Sequence, residues 1–303
     1  MLEQGISQLV EDFITSGRPS YRMQHINDRR AGYIASTCLA GKKEERVNVS
    51  DIFIDGMRFR IFVRPDISDI TPCLIYYHGG CFVSGGFETH DNQLRQLAYY
   101  SGCRVIAVQY RLAPEFLFPV AHDDAERGAC IIWQNAESLG IDRNRISLAG
   151  DSAGGHLALV TALRLKSVAQ WQPSQLILIY PMLDATACLE SYAMFGDDYV
   201  ITRDALVSGY DMYLHDTDRE HPEASPLWRS DLQGLPATHI ITAEFDPLRQ
   251  EGEMLYQRMT EQGVMCTCQR YLGVIHGFFQ LGGISQAGRD AVQAVASRLS
   301  MFS

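Results

Sequence analysis

The sequence predicts an α/β fold in which a mostly parallel central sheet carries helices on both faces. Short apolar segments alternate with longer amphipathic ones along most of the 303 residues, which is typical of a parallel sheet covered by helices. One segment, residues 182–236, interrupts this alternation and contains no clear strand. It therefore predicts a helical excursion above the sheet.

The chain begins with a polar, helical segment that is followed by a hairpin. Residues 1–45 show no strand alternation, whereas residues 46–55 and 58–64 alternate apolar and polar side chains with a period of two. The Asp55-Gly56 pair between them is typical of a hairpin turn. We expect residues 1–45 to pack with about 182–222 as a helical cap on a single domain spanning 1–303.

The remaining elements follow one another in a regular order. Short, largely apolar runs predict strands of a buried parallel sheet, at residues 73–77, 104–108, 146–149, 176–180, 239–243 and 264–271. Longer segments with helical periodicity predict helices, at residues 92–100, 120–138, 152–167, 248–261 and 286–301.

Composition excludes several classes of protein. Hydrophobic residues make up 46% and charged residues 20% of the chain, as in a folded globular protein. A net charge of −10 disfavours nucleic acid as a partner. No apolar run reaches the roughly 18 residues that span a bilayer, so no membrane partner is expected. Residues 1–20 lack the basic start of a signal peptide, and we expect a cytoplasmic protein.

The eight cysteines lack the spacing of a disulfide framework. Cys266 and Cys268 lie on one face of a predicted strand, but a metal site would need two further ligands. Neither a phosphate-binding Gly-Lys-Ser/Thr loop nor a G-x-G-x-x-G turn is present. We therefore expect no metal and no cofactor.

The motif Gly150-Asp151-Ser152-Ala153-Gly154 lies between a predicted strand and a predicted helix. In that context a G-x-S-x-G sequence is typical of a serine nucleophile on a sharp turn, with its hydroxyl exposed. A plain strand-to-helix turn is the alternative. Ser152 is therefore the candidate nucleophile, provided that a base and an acid lie nearby.

Asp246 and His276 each follow a later predicted strand. Because active sites of parallel sheets lie at the carboxyl ends of the strands, we expect both to lie near Ser152. Histidine can accept the serine proton near neutral pH, and a buried carboxylate holds the imidazole in the required tautomer. Glu244 and Asp184 are alternative acids, and Asp246 is also placed to cap the next helix.

A loop of small residues, His78-Gly79-Gly80-Cys81, directly follows the predicted strand 73–77. Backbone N–H groups there and at Ala153 can stabilise a negatively charged oxygen, and one such donor contributes about 3–4 kcal/mol. Gly79, Gly80 and Ala153 are the candidate donors, and Cys81 is a further one. We expect His78 to hold the loop by hydrogen bonding and not to transfer protons.

Six segments together resemble one known family, namely His78-Gly79-Gly80, Tyr110-Arg111-Leu112-Ala113-Pro114-Glu115, Gly150-Asp151-Ser152-Ala153-Gly154-Gly155, Ser225-Pro226-Leu227, Asp246-Pro247-Leu248 and His276-Gly277-Phe278. They resemble the hormone-sensitive lipase family of α/β-hydrolases, a group of bacterial acetyl-esterase-like carboxylesterases. The resemblance implies an α/β-hydrolase fold with a cap, hydrolysis of small acyl esters through Ser152, Asp246 and His276, and a homodimer in some relatives.

Cys81 departs from the family pattern, which has glycine or alanine at this position. If its amide is an oxyanion donor, we expect a side chain to be tolerated only with a negative φ. The alternative function is a hydrolase-fold binding or regulatory protein with vestigial or secondary esterase activity. Receptor relatives typically lose the histidine, so His276 favours the enzyme.

Overall fold

The computed structural model describes residues 1–17, 19–168 and 171–301. Eight strands form one sheet, namely β1 Asn48–Ile54, β2 Met57–Val63, β3 Thr71–Tyr77, β4 Arg104–Val108, β5 Ile141–Asp151, β6 Gln175–Ile179, β7 Ala237–Phe245 and β8 Cys266–Ile275. Their order across the sheet is β1-β2-β4-β3-β5-β6-β7-β8. The pairs β1–β2 and β2–β4 are antiparallel and the others parallel, so the predicted fold class is confirmed.

The α-helices of the described residues are α1 Gln4–Thr15, α2 Ile26–Ala35, α3 Phe87–Ser101, α4 Val120–Gln134, α5 Ala153–Val168, α6 Glu190–Phe195, α7 Arg203–Leu214, α8 Arg249–Glu261 and α9 Gln286–Met301. They cover both faces of the sheet. Successive residues of a strand point to opposite faces, so neighbouring residues of β6 pack against different helices. Leu178 packs in a core with α4, α5 and α8, whereas Ile177 and Ile179 pack in a second core with α3 and α9.

Helix α3 begins at Phe87, five residues before the predicted start at Asn92. The Gly86 amide donates to Thr89 Oγ1 at 3.0 Å, and this hydroxyl donates back to the Gly86 carbonyl at 2.9 Å. This cap stabilises a first turn whose polar side chains Thr89 and His90 are buried. Apolar periodicity misses such a turn, because its buried face is polar.

The two segments predicted as a cap are helical and contact each other. Arg29 of α2 donates to Ser208 Oγ of α7 at 3.0 Å, and Arg22 pairs with Asp204 and Asp211 at 2.9 and 2.7 Å. These contacts favour a shared cap, which stays a prediction. None of the helices in residues 1–17, 19–168 and 171–301 combines the length and apolarity needed to cross a bilayer.

Candidate active site

Ser152 lies on the sharp turn between β5 and α5. It has a φ of +55°, and its amide donates to the Ile179 carbonyl at 2.8 Å. A Cβ at Gly150 would lie 2.3 Å from the backbone of Gly154, and one at Gly154 would lie 1.9 Å from the Tyr77 carbonyl oxygen. Larger residues cannot fit at these two positions, so the glycines of the motif are explained by close backbone approach.

The three residues predicted as nucleophile, base and acid lie in one line of hydrogen bonds. His276 Nε2 is 3.0 Å from Ser152 Oγ, and His276 Nδ1 is 2.8 Å from Asp246 Oδ2. Asp246 is fully buried, and its second oxygen accepts from the Leu248 amide at 2.7 Å. One carboxylate therefore both orients the imidazole and holds the start of α8.

The competing residues are occupied elsewhere. Glu244 accepts from the Gly273 amide at 2.7 Å, and Asp184 accepts from the Thr186 amide and hydroxyl at 3.0 and 2.7 Å. His156 is buried against the Met182 carbonyl, at 2.7 Å, and His122, at 2.9 Å. Burial lowers the pKa of His156 to about 4, so it is neutral at pH 7.

The loop after β3 is fixed by buried contacts. The His78 ring stacks on Tyr110 with centroids 4.2 Å apart, and its Nδ1 is 2.8 Å from the Gly79 carbonyl oxygen. Burial lowers the pKa of His78 to about 3. The Gly79 amide donates to Asp151 Oδ1 at 3.0 Å. The prediction that Gly79 serves as an oxyanion donor is therefore wrong for this arrangement, because its only N–H is already used.

The next two amides of the loop are differently placed. Within the described part of the chain, those of Gly80 and Cys81 meet no hydrogen-bond acceptor. Ala153 opens α5, where the first amides have no carbonyl within the helix to bond. Gly80, Cys81 and Ala153 are the remaining candidate donors.

Cys81 has a φ of +54°. The expectation that a side chain here requires a negative φ is therefore wrong. A non-glycine residue in this region costs of order 1–3 kcal/mol and persists only where its surroundings impose it. The side chain is half-buried, and burial raises the pKa of its thiol to about 11.

A cavity of about 680 Å³ opens onto Ser152 and His276. Its far wall comes from the N-terminal segment and the start of α7, which contribute Phe13, Tyr21 and Ala205. Tyr180 also lines it, with its ring centroid 4.6 Å from that of His276. The cavity is thus enclosed by the two segments predicted as a cap.

Sequence reasoning missed several residues that surround the site. Asp151 and His90 are buried and 3.0 Å apart, and Arg30 of α2 binds the loop after β3 at the Val83 carbonyl, at 2.9 Å. Asp151 lies inside the recognised motif, which is the only local signal among them. His90 and Arg30 are far from the motif in the sequence and contact the site only through tertiary packing, so no local pattern identifies them.

The chain is similar to known hydrolases over most of its length. A family model described as the α/β hydrolase fold matches residues 74–280. An ethyl acetate hydrolase of Pseudomonas putida is 32% identical over 96% of this chain and 95% of its own length. A carboxylic ester hydrolase of Mycobacterium tuberculosis is 35% identical over 84% of this chain and 71% of its own.

Solved structures give the same result. A hyperthermophilic esterase from the archaeon Pyrobaculum calidifontis is 34% identical, with a TM-score of 0.92 over 99% of this chain and 98% of that one. A thermostable esterase from Pseudomonas putida is 29% identical, with a TM-score of 0.94 over 99% and 97% of the two chains. The predicted fold and family resemblance are confirmed.

Proposed function

This chain belongs to the α/β-hydrolase family, and on that basis we propose that it is a serine carboxylesterase that cleaves short-chain, acetyl-type esters through an acyl-enzyme on Ser152. The observation that carries the proposal is the line of hydrogen bonds from Ser152 Oγ through His276 to Asp246, with distances of 3.0 and 2.8 Å. It lies at the base of the 680 Å³ cavity.

In the first half-reaction, Ser152 Oγ attacks the ester carbonyl carbon while its proton passes to His276 Nε2. Asp246 accepts the Nδ1–H of the imidazole and stabilises the imidazolium that forms. When the tetrahedral intermediate collapses, the bond to the alcohol oxygen breaks and His276 returns the proton to the leaving alcohol. The acyl group remains on Ser152.

In the second half-reaction, water takes the place of the alcohol. His276 accepts a proton from the water, whose oxygen attacks the acyl carbon. Collapse of this intermediate releases the carboxylic acid, and the proton on His276 returns to Ser152 Oγ. The three side chains therefore end the cycle in their starting states.

The amides of Gly80, Cys81 and Ala153 are the donors proposed for the oxyanion. The two loop amides lack acceptors among the described residues, and Ala153 is at the positive end of α5. These amides can donate to the negatively charged ester oxygen of the transition state without rearrangement of the loop. Donors that are already in place in this way lower the barrier.

The acetyl-type preference rests on a relative and on the enclosure of the site. The Pseudomonas putida relative that matches over 96% of this chain is named an ethyl acetate hydrolase. The cavity is roofed by the N-terminal segment and α7, so a long acyl chain must fit beneath helices. We infer a preference for acetate to hexanoate esters.

The nucleophile is tested with p-nitrophenyl acetate and the Ser152→Ala variant. We expect kcat to fall on the order of 10⁴-fold or more, because the acyl-enzyme cannot form. Ser36→Ala is the matched control, since Ser36 lines the same cavity but takes no part in the proposed chemistry. Reaction with a phosphonate ester should add the mass of one phosphonyl group to the wild-type protein, on the peptide that contains Ser152. Full turnover by Ser152→Ala would contradict the proposal.

Chain length is tested with p-nitrophenyl esters of two to twelve acyl carbons. We expect kcat/KM to be highest between acetate and hexanoate and to fall for longer chains. A maximum on long, emulsified chains would overturn the short-chain assignment and leave the serine mechanism intact.

A further inference from the structure

His90 of α3 is a buried histidine that the proposed mechanism does not use. Only 1% of it is exposed, and its Nε2 lies 3.0 Å from Asp151 Oδ1. Because a carboxylate can only accept, the imidazole must donate at Nε2. Its Nδ1 lies 2.8 Å from Thr89 Oγ1, within the N-terminal cap of α3. Both ring nitrogens therefore have a polar neighbour within 3.0 Å, which restricts the orientation of the ring.

Asp151 connects this imidazole to the proposed oxyanion loop. The carboxylate is 2% exposed, and the same oxygen accepts from the Gly79 amide at 3.0 Å and from the Tyr76 hydroxyl at 2.9 Å. Burial opposes its ionisation, but the charge of His90 and hydrogen bonds from His90 and Tyr76 lower the pKa of Asp151. A buried carboxylate that loses such a partner is strongly destabilised.

The position of Gly79 decides where the proposed donors lie. Gly80 and Cys81 follow it directly, and both amides lack acceptors among the described residues. If the Gly79 amide leaves Asp151, the two donors move with the loop. A displacement of about 1 Å at reacting groups can cost on the order of 100-fold in rate.

A second contact of His90 reaches the loop that carries His276. The Gln280 amide nitrogen lies against the same imidazole nitrogen, and the Gln280 oxygen accepts from the Tyr33 hydroxyl of α2 at 2.9 Å. Because Nε2 already donates to Asp151, the Gln280 contact is one of packing and not a hydrogen bond. Gln280 ends the short helical turn Phe278–Gln280 that follows His276. The His90 ring thus lies between Asp151 at the end of β5 and Gln280 in the loop that follows His276.

We propose that His90 is a positioning residue of this hydrolase, which fixes the oxyanion loop through Asp151 and Gly79. The inference rests on the proposed function and goes beyond it, because His90 touches neither the nucleophile nor the base. Its role predicts a loss of transition-state stabilisation with little change in substrate binding.

The test compares His90→Ala with His90→Gln on p-nitrophenyl acetate. We expect His90→Ala to lower kcat about 10- to 100-fold with KM changed less than about threefold, because the donors are misplaced. The Gln side chain offers an N–H near the position of Nε2 and should restore kcat to within about fivefold of wild type. His239→Leu is the matched control, since His239 is buried and bonds Thr267 on the neighbouring strand β8.

A double-mutant cycle with Asp151→Asn tests the path of the effect. If His90 acts through the Asp151 carboxylate, His90→Ala should cost less than about threefold in kcat in the Asp151→Asn background. All rates are measured at temperatures below the unfolding transition of each variant. Additive losses in the cycle would overturn the inference.

The remaining outcomes distinguish a positioning role of His90 from a purely structural one, and both from a failure of the proposed function. A kcat of His90→Ala within twofold of wild type overturns the positioning role and leaves the esterase proposal standing. A His90→Gln variant as slow as His90→Ala, or an equal loss of kcat in His239→Leu, assigns His90 a structural role only. If wild-type turnover does not depend on Ser152, the proposed function and this inference both fall.

Discussion

Cys81 takes a backbone conformation that glycine adopts more easily, with a φ of +54°. The side chain fits because α7 has Gly209 opposite it: a Cβ at Gly209 would lie 2.6 Å from the Cβ of Cys81. Cys81 also lines the cavity that opens onto Ser152. Residue 81 therefore both contacts the predicted cap and narrows the space for the substrate.

Cys81→Gly is expected to keep turnover of p-nitrophenyl acetate within a few fold of wild type, because the backbone amide remains. Its kcat/KM for hexanoate and octanoate should rise relative to acetate, because the cavity widens. Activity across the ester series is the measurement. Loss of all turnover would mean instead that the thiol itself is required.

Gly209→Ala supplies the complementary test of this contact. The added methyl group overlaps Cys81 and should lower the free energy of unfolding by about 1–3 kcal/mol, as overpacking does. Cys81→Gly in the same chain should recover part of that loss. Gly32→Ala is the control, since a Cβ at Gly32 of α2 would meet no atom within 4 Å.

At the scale of elements, the Arg30 guanidinium links α2 to the loops that follow β3 and β4. Arg30 donates to both oxygens of Glu115 at 2.7 Å, to the Val83 carbonyl at 2.9 Å and to the Ala113 carbonyl at 3.0 Å. Val83 lies in the loop that follows the proposed oxyanion donors. Arg30 therefore connects the predicted cap to that loop.

Arg30→Lys should lower the free energy of unfolding by about 1–2 kcal/mol, because an ammonium group cannot make the bidentate pair and both carbonyl contacts. Urea unfolding and the rate of proteolysis within residues 1–45 measure the effect. The control is Arg270→Lys, which breaks the bidentate pair with Glu253 at an exposed site where about 0–1 kcal/mol is expected. Equal losses in the two variants would contradict a special role of Arg30.

The elements themselves were largely predictable. The hairpin, the order of strands and helices, and the bounds of β4 and α9 follow from apolar periodicity, which reports burial on a regular backbone. The prediction started α3 too late, because Thr89 and His90 are buried by a polar network. It also gave β5 as 146–149 instead of Ile141–Asp151, because residues 142–145 of that strand are polar and none of them is buried.

At the scale of the whole molecule, buried neutral histidines make stability depend on pH. Burial lowers the pKa of His78 to about 3 and that of His156 to about 4, and it holds the pKa of His122 well below its usual value. Their unfolded pKa is about 6.5, so between pH 6.5 and 4 the unfolded chain binds protons that the folded chain does not. Stability is therefore complete above pH 6.5 and falls as the pH is lowered through this window.

The lowered pKa of His156 alone reduces the free energy of unfolding at pH 4 by roughly 3 kcal/mol relative to neutral pH. His156→Gln should make the free energy of unfolding less steep against pH, by about 1 kcal/mol per pH unit between 6 and 4.5. Urea unfolding at several pH values measures this slope. His215→Gln is the control, because the His215 side chain is 63% exposed. An unchanged slope in His156→Gln would show that this histidine binds protons equally in the folded and the unfolded chain, and would contradict the lowered pKa.

The sequence by itself determined the fold class and the family, and it predicted Ser152, Asp246 and His276 as the proposed catalytic set. It could do so because a sharp turn needs small residues, and because parallel strands bring their carboxyl ends to one edge of the sheet. Residues far apart in the chain are then brought together by topology alone.

Tertiary structure decided what surrounds these three residues. It assigned the Gly79 amide to Asp151, placed Cys81 against Gly209, and enclosed the cavity with segments from distant parts of the chain. Each of these depends on contacts between distant segments or on the sign of a φ angle. Residue type biases such features, but only the packed chain selects one of them.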